Sequence, residues 1–489
     1  MRHQTKHLPT FFRIHTPQWC WVCCLLWLFP LNAWGTPSSL LSPSQSNRPI
    51  FTIKGKRPLK KRVRVRFQLS HPQLPVQVPM LKYGLQASQK STKTVYLKVG
   101  LQGHTTTKHQ RAPVNLAVVL DRSGSMKGEK LRETKRALKM LLSRMGPRDT
   151  FSLITYNSTV QVLVPATRVR DPKAITRKIE QITAKGATAL FGGVSRGLGE
   201  LKTFLHQHRV NRMVLISDGR ANIGPRRPSQ LGRLGAASAV QGISITTIGL
   251  GLGYNEDLMT QLALKSDGNY GFADNAKKLK TLLTSELHDI FSVVAQRVTL
   301  HIQCAKGVKP IRVLDRAARI EGQDVRLTFN QLNSQREKYV LLELRLPLQQ
   351  KTPQTKQIAK INVRYNDMLT KRTDSLTRYS NIKYTLPVAG NGCTVNKDIM
   401  VKVIAATANE INKNAVSVRD SGYINKARGM LRANASFLNK MAKKYRSKTL
   451  RQLGQFNNTN AENLQKPKWR YSRKLMRKKQ YQIQNQTSY

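Results

Sequence analysis

The sequence predicts an α/β architecture: a doubly wound, mostly parallel sheet of Rossmann-like type, flanked by antiparallel β segments and followed by a helical C-terminal part. Three observations predict it. Short unbroken apolar runs at 114–120, 151–156, 213–216 and 243–250 alternate with helical stretches, the texture of strands buried on both faces of a parallel sheet. On either side of this region the pattern changes to strict apolar–polar alternation, the mark of half-buried strands. Beyond about residue 395 the apolar spacing becomes helical.

Composition narrows the class of protein. The chain has 489 residues, 39% of them hydrophobic, enough for about three soluble domains and too few for a multi-span membrane protein. Five cysteines exclude a disulfide-dense scaffold. Lys and Arg number 84 against 25 Asp and Glu, a formal charge of +59, which predicts attraction to anionic surfaces without specifying a fold. Acidic residues are therefore the informative ones, and the first in the chain is Asp121.

Taken in order, residues 1–35 read as an export signal. Arg2, Lys6 and Arg13 precede an apolar stretch from Trp19 to Leu31, and Ala33-Trp34-Gly35 supplies small residues for cleavage. The stretch is shorter than the ~20 residues that span a bilayer. Export to the periplasm or cell surface would leave Cys304 and Cys393 in the mature chain, as one bridge or as two separate buried thiols. Residues 36–60 are rich in Ser, Pro and Asn and read as a flexible linker. In the β segment 61–112, Val63, Val65, Phe67 and Leu69 share one face and Arg62, Arg64 and Arg66 the other. Val95, Leu97, Val99 and Leu101 repeat the pattern.

The α/β domain is placed at 113–292, with a helix at 130–142 carrying Leu131, Ala137, Leu138, Leu141 and Leu142 at helical spacing. A β-rich domain follows at 296–388, marked by Val298, Leu300 and Ile302, then Val325, Leu327 and Phe329, then Ile361, Val363 and Tyr365. Its texture matches that of 61–112, so the two form either one sandwich interrupted by the α/β domain or two domains. A helical segment covers 395–441 with a break at Gly422. The remainder, 443–489, holds 13 Lys and Arg against Glu462 alone, a net of +12. With sparse apolar residues, it is expected to be a largely disordered basic tail.

The candidate site lies where the first parallel strand ends, in Asp121-Arg122-Ser123-Gly124-Ser125. A carboxylate and two hydroxyls at alternate positions can turn toward one point, and hard divalent cations take such oxygen ligands. The strand at 213–216 runs through Ser217 into Asp218-Gly219, placing a second carboxylate at the same sheet edge. Gly186-Ala187-Thr188 offers a third hydroxyl on a glycine-loosened loop. Any one of these pieces alone reads equally as a helix cap or a turn.

In order and spacing, Asp121-x-Ser123-x-Ser125, Thr188 and Asp218-Gly219-x-x-Asn222-x-Gly224 resemble the metal-ion-dependent adhesion site of von Willebrand factor A (VWA) domains. Gly128-Glu129-Lys130-Leu131 is similar to the helix opener of bacterial exported members. The likeness covers about residues 112–292. It implies a cation, Mg²⁺ or alternatively Mn²⁺ or Ca²⁺, held by Asp121, Ser123 and Ser125, by Thr188 directly or through water, and by Asp218 mainly through water. An Asp or Glu carboxylate of a partner protein would complete the shell. On this reading the protein is an interaction or adhesion module of the cell envelope and no enzyme.

Arg122, Arg220, Arg226 and Arg227 lie close to these ligands in sequence and would attract an acidic partner loop, or else belong to a generally basic surface. The alternative function is a charge-driven envelope scaffold with a vestigial metal site, its tail binding anionic lipid or polysaccharide. Trp469, Tyr471 and Tyr481 interleave with the tail's cations as in nucleic-acid-binding segments, but export argues against that partner. Gly193-x-Ser195-x-Gly197 matches a hydrolase nucleophile elbow without the preceding strand that the motif requires.

Overall fold

The structure is a computed structural model that describes residues 63–75, 92–105, 111–314, 316–348, 352–386, 394–465 and 467–487. The export signal, the linker at 36–60 and Cys393 lie outside the described residues. Two strands open the described chain with the alternation read from the sequence, β1 (Val63–Leu69) and, after the short β2 (Gln73–Pro75), β3 (Thr92–Gly103).

The α/β unit follows. Its elements are β4 (Val114–Asp121), α1 (Glu129–Leu142), β5 (Thr150–Tyr156), β6 (Val160–Arg168), α2 (Pro172–Glu180), α3 (Leu190–Thr203) and β7 (Val210–Ser217). They continue with α4 (Pro228–Val240), β8 (Ile243–Leu250), α5 (Glu256–Lys265), β9 (Tyr270–Ala273) and α6 (Ala276–Phe291). The sheet order is β6-β5-β4-β7-β8-β9, parallel except for the edge strand β6. Every residue of β4, β5, β7 and β8 is buried, because helices cover both faces. The chain leaves β4 toward β5 on one side and returns on the other as β7. The topological switch point, where open sheets of this kind bind ligands, thus falls between the carboxyl ends of β4 and β7.

Beyond α6 the antiparallel strands are β10 (Val293–Cys304), β11 (Lys309–Leu314), β12 (Arg319–Glu321), β13 (Asp324–Asn333), β14 (Glu337–Pro347), β15 (Gln354–Asp367) and β16 (Thr373–Thr385). Among the described residues they form two sheets, ordered β1-β3-β14-β11 and β12-β13-β10-β15-β16-β2. Strand β3 pairs with β14 along its length, and β2 pairs with β16. The two segments therefore build one sandwich around the inserted α/β unit. Its core joins Val63, Leu97 and Val99 to Val298, Leu300, Phe329 and Ile361. Cys304 is a free thiol in this core, and burial pushes it up to about 12.

The C-terminal part departs from expectation. Helices α7 (Lys397–Asp420) and α8 (Ile424–Tyr445) meet at Gly422, which has φ 95°, a value glycine adopts freely. The basic stretch then continues as α9 (Lys448–Glu462) and α10 (Lys468–Asn485), correcting the expected disorder of 443–489. The reason is twofold. Leu450, Leu453, Ala461, Leu464, Trp469 and Met476 are buried against α7 and α8, and α10 finds carboxylates far away in sequence. Arg473 pairs with Glu256 at 2.5 Å, Asp257 at 2.6 Å and Asp420 at 2.7 Å. Lys474 pairs with Glu256 at 2.6 Å, and Arg477 with Asp257 at 2.9 Å. The aromatic residues are packing groups too. Trp469 and Tyr481 are buried, and the Tyr471 hydroxyl donates to Asp274 at 3.1 Å.

Tyr481 joins the core of the α/β unit, edge-on to Tyr270 with ring centroids 5.8 Å apart, and its hydroxyl donates to the Gly268 carbonyl. Truncating it removes that buried volume and the hydrogen bond. Tyr481→Ala is expected to cost about 3–5 kcal/mol, seen as a lower urea midpoint with an unchanged slope. Burial raises Glu256 and Asp257, but the α10 cations outweigh it and hold both below the ordinary carboxylate value. Depressed carboxylates stabilise the fold above their unfolded values and lose that contribution as pH falls through the folded ones. Acid titration followed by circular dichroism is therefore expected to weaken the protein below the ordinary carboxylate range, and less so for Arg473→Gln.

Candidate functional site

Asp121, Ser123, Ser125, Thr188 and Asp218 come together at the switch point. Strand β4 delivers Asp121 with its side chain fully buried, and β7 delivers Asp218 one residue past its end, 1% exposed. Hydrogen bonds hold the Asp121 carboxylate on both oxygens: the Ser123 amide donates to Oδ1 at 2.8 Å and the Ser217 hydroxyl to Oδ2 at 2.7 Å. The chain then tightens into a 3-10 turn over Gly124–Met126. This brings Ser123 Oγ and Ser125 Oγ to 3.2 Å from each other, and Ser125 Oγ donates to Asp218 Oδ1 at 2.6 Å.

Thr188 arrives on the loop before α3, and backbone groups fix that loop. The Thr188 amide donates to Asn222 Oδ1 at 2.8 Å, the Ala189 amide to the Asn157 carbonyl at 2.7 Å, and the Gly124 amide to the Gly186 carbonyl at 3.0 Å. Gly219 leaves room between the pieces. A β-carbon there would lie 2.9 Å from Thr188 Oγ1 and 3.4 Å from Asp121 Oδ2.

The electrostatics here follow from two carboxylates buried close together. Burial raises the Asp121 carboxyl above its ordinary value despite its serine hydrogen bonds, and the nearby Asp218 adds to the rise. Burial and the Asp121 carboxylate push the Tyr156 phenol well above its usual range. The Lys130 ammonium, at the start of α1, pairs with Asp218 Oδ2 and donates to the Ser125 carbonyl at 3.2 Å. Among the described residues no group of three His, Cys, Asp or Glu side chains is placed to hold a metal; here two carboxylates meet three hydroxyls. That donor set, with the space that Gly219 keeps open, fits a hard divalent cation bound partly through water.

Sequence reasoning missed the supports. Ser217 and Asn157 carry no motif signal, since their role depends on the neighbouring strand and loop. Lys130 belonged to the quoted helix opener, but nothing in the sequence showed which carboxylate it meets. Arg220, Arg226 and Arg227 lie exposed on the segment after Asp218, while Arg122 is half-buried. The elbow-like Gly193-x-Ser195-x-Gly197 lies inside α3, with Ser195 on its exposed face. Its glycines serve packing. A β-carbon on Gly193 would come to 2.7 Å from the Tyr156 ring, and one on Gly197 to 2.5 Å from Val119.

Comparison with known proteins gives the same region a name. Residues 115–285 match the von Willebrand factor type A domain model, so the α/β unit is a VWA domain. An uncharacterised protein of Synechocystis sp. is 24% identical over 292 residues, 58% of this chain and 68% of its own length. Human inter-alpha-trypsin inhibitor heavy chain H3 is 31% identical over 173 residues, but these are 33% of this chain and only 19% of that protein. A solved von Willebrand factor type A structure from Catenulispora acidiphila shares the fold over 81% of this chain and 91% of its own, with TM-score 0.62 and 13% identity.

The cradle at Gly219 is directly testable. Gly219→Ala fills the space beside Thr188 and Asp121, and if that space takes a divalent cation the substitution weakens Mn²⁺ binding by about tenfold or more. The measurement is calorimetric titration, with the thermal midpoint of the metal-free protein as the control for folding.

Proposed function

We propose that this protein is a divalent-cation-dependent interaction module of the bacterial cell envelope, in which the cation bridges the VWA domain to an Asp or Glu carboxylate of a partner protein. VWA domains mediate protein–protein interaction and adhesion, in some cases with a metal. The observation that carries the finer reading is the convergence of two buried carboxylates with Ser123, Ser125 and Thr188 around the space beside Gly219. A bound Mg²⁺, Mn²⁺ or Ca²⁺ would supply an electrophilic position open to an external carboxylate.

This chain's own residues do the rest. Asp121 is held rigid by Ser123 and Ser217, so it presents its charge without a search over rotamers. The uncharged hydroxyls leave charge on a cation for a partner to neutralise. Arg220, Arg226 and Arg227, exposed on the adjoining segment, favour encounter with an acidic surface. The charged and then apolar segment at 1–35 supports export to the periplasm or cell surface. No step in this reading makes or breaks a covalent bond.

Asp121→Ala tests it. Calorimetric titration of the full chain with Mg²⁺ and Mn²⁺ is expected to show saturable binding that the variant loses, while its thermal midpoint stays near that of wild type. Equal metal binding by both proteins would overturn the site, and loss of folding in the variant would make Asp121 structural.

A further inference from the structure

A second place in the molecule has the build of a binding site, away from the metal cluster and independent of it. A cleft of about 1650 Å³ opens where the VWA domain, the sandwich and α10 meet. This exceeds the roughly 300–1,000 Å³ of a small-molecule pocket, and clefts at such junctions are favoured ligand sites.

Its charge is one-sided. Among the described residues that line it, the only carboxylates are Asp257 and Asp267, and both are already engaged. Asp257 is held by Arg473 and Arg477, and Asp267 by Arg316 and Lys338, each at 3.2 Å. Lys265, Arg297 and Arg326 also line the cleft and are exposed, and among the described residues none of them pairs with a carboxylate.

Two of these cations sit where sheet energetics alone would not place them. Arg326 on β13 lies directly opposite Arg319 on β12, and like charges in facing positions destabilise a sheet; on its other side it faces His301 on β10. Arg319 turns to Glu321 and His301 to Asp324, leaving Arg326 between them. Arg297 has φ 50°, left-handed for a residue with a β-carbon, at the irregularity in the β10–β15 register. Such conformations persist where the surroundings impose them and concentrate at binding sites. Its guanidinium reaches the end of α4, 3.5 Å from the Gln241 carbonyl, next to Val240, which is 84% exposed at the cleft.

The segments outside the described residues carry one acidic side chain, Asp315, and no Asp or Glu occurs before Asp121, so a carboxylate-rich occupant has to come from another protein. A sugar or phosphate polymer would answer the cations but leave Val240, Ala236 and Ala239 uncovered. We propose that this cleft binds an acidic peptide segment of another protein, its carboxylates on Lys265, Arg297 and Arg326 and its apolar side chains against Val240 and the alanines of α4.

The test uses the full chain with EDTA present, so that the metal site contributes nothing, at physiological ionic strength. Fluorescence anisotropy follows a short labelled peptide alternating Glu and Leu, with a peptide alternating Glu and Ser and inorganic polyphosphate as the other probes. The variant Lys265→Gln/Arg297→Asn/Arg326→Gln is expected to bind the Glu-Leu peptide about tenfold more weakly or worse, and Lys265→Glu alone to weaken it as well. Removing the same charge from α2, with Lys173, Arg177 and Lys178 all changed to Gln, is expected to leave binding nearly unchanged. Equal weakening by the two triple variants would overturn the proposal, as would no measurable binding of the Glu-Leu peptide. Equal affinity for the Glu-Ser peptide, or preferential binding of polyphosphate, would overturn the peptide assignment in favour of a charge-only site.

Discussion

The burial of two carboxylates side by side, Asp121 and Asp218, is the constraint around which the VWA domain is organised. Burying a carboxylate is costly unless it is hydrogen-bonded or paired, so the surrounding chain is committed to satisfying them. Ser123 and Ser217 hold Asp121, while Ser125 and Lys130 hold Asp218. Those bonds fix the loop after β4, and the loop at 185–189 docks on it through Gly124 and Arg122. The result is a preformed cluster of oxygens, its carboxylates at strand ends and its hydroxyls on the turn and loop docked against them.

The same economy of carboxylates runs through the whole molecule. In a chain carrying +59, acidic side chains serve as its internal fasteners. Asp149 accepts a two-pronged bond from Arg111 at 2.8 and 2.6 Å and also from the amides of Val114 and Gly146. These tie the entry of β4 to the turn before β5. Asp267 joins the VWA domain to the sandwich through Arg316 and Lys338, and Glu256 and Asp257 fasten α10. Removing Asp267 leaves Arg316 and Lys338 without their carboxylate, which costs more than the net worth of the pair itself.

This economy explains where sequence reading succeeded and where it failed. Alternation at Val63–Leu69 and the unbroken run of β4 were legible because their period is local. The residue types of Asp121, Ser123, Ser125 and Asp218 were legible too, because they lie within a few positions of the ends of β4 and β7. The basic stretch at 443–489 misled because charge counting sees only neighbours in sequence. Its partners Glu256 and Asp257 lie more than two hundred residues earlier, and its apolar residues bury against helices that exist only in the folded chain. Gly193-x-Ser195-x-Gly197 lacks the strand that a nucleophile elbow requires, and it forms a helix face pressed against Tyr156 and Val119.

By itself the sequence determined the fold class, the buried strands β4, β5, β7 and β8 and the types of residue that end β4 and β7, since short-range periodicity and turn chemistry decide these. Only the tertiary structure decided that two β segments separated by the VWA domain close into one sandwich. It likewise decided that Ser217 and Lys130 support the carboxylates and that a basic tail becomes the strap α10. Each of these depends on contacts between residues far apart in the chain. Hydrogen bonding, pairing of charge and burial act through distance in space, and that distance does not exist until the chain has folded.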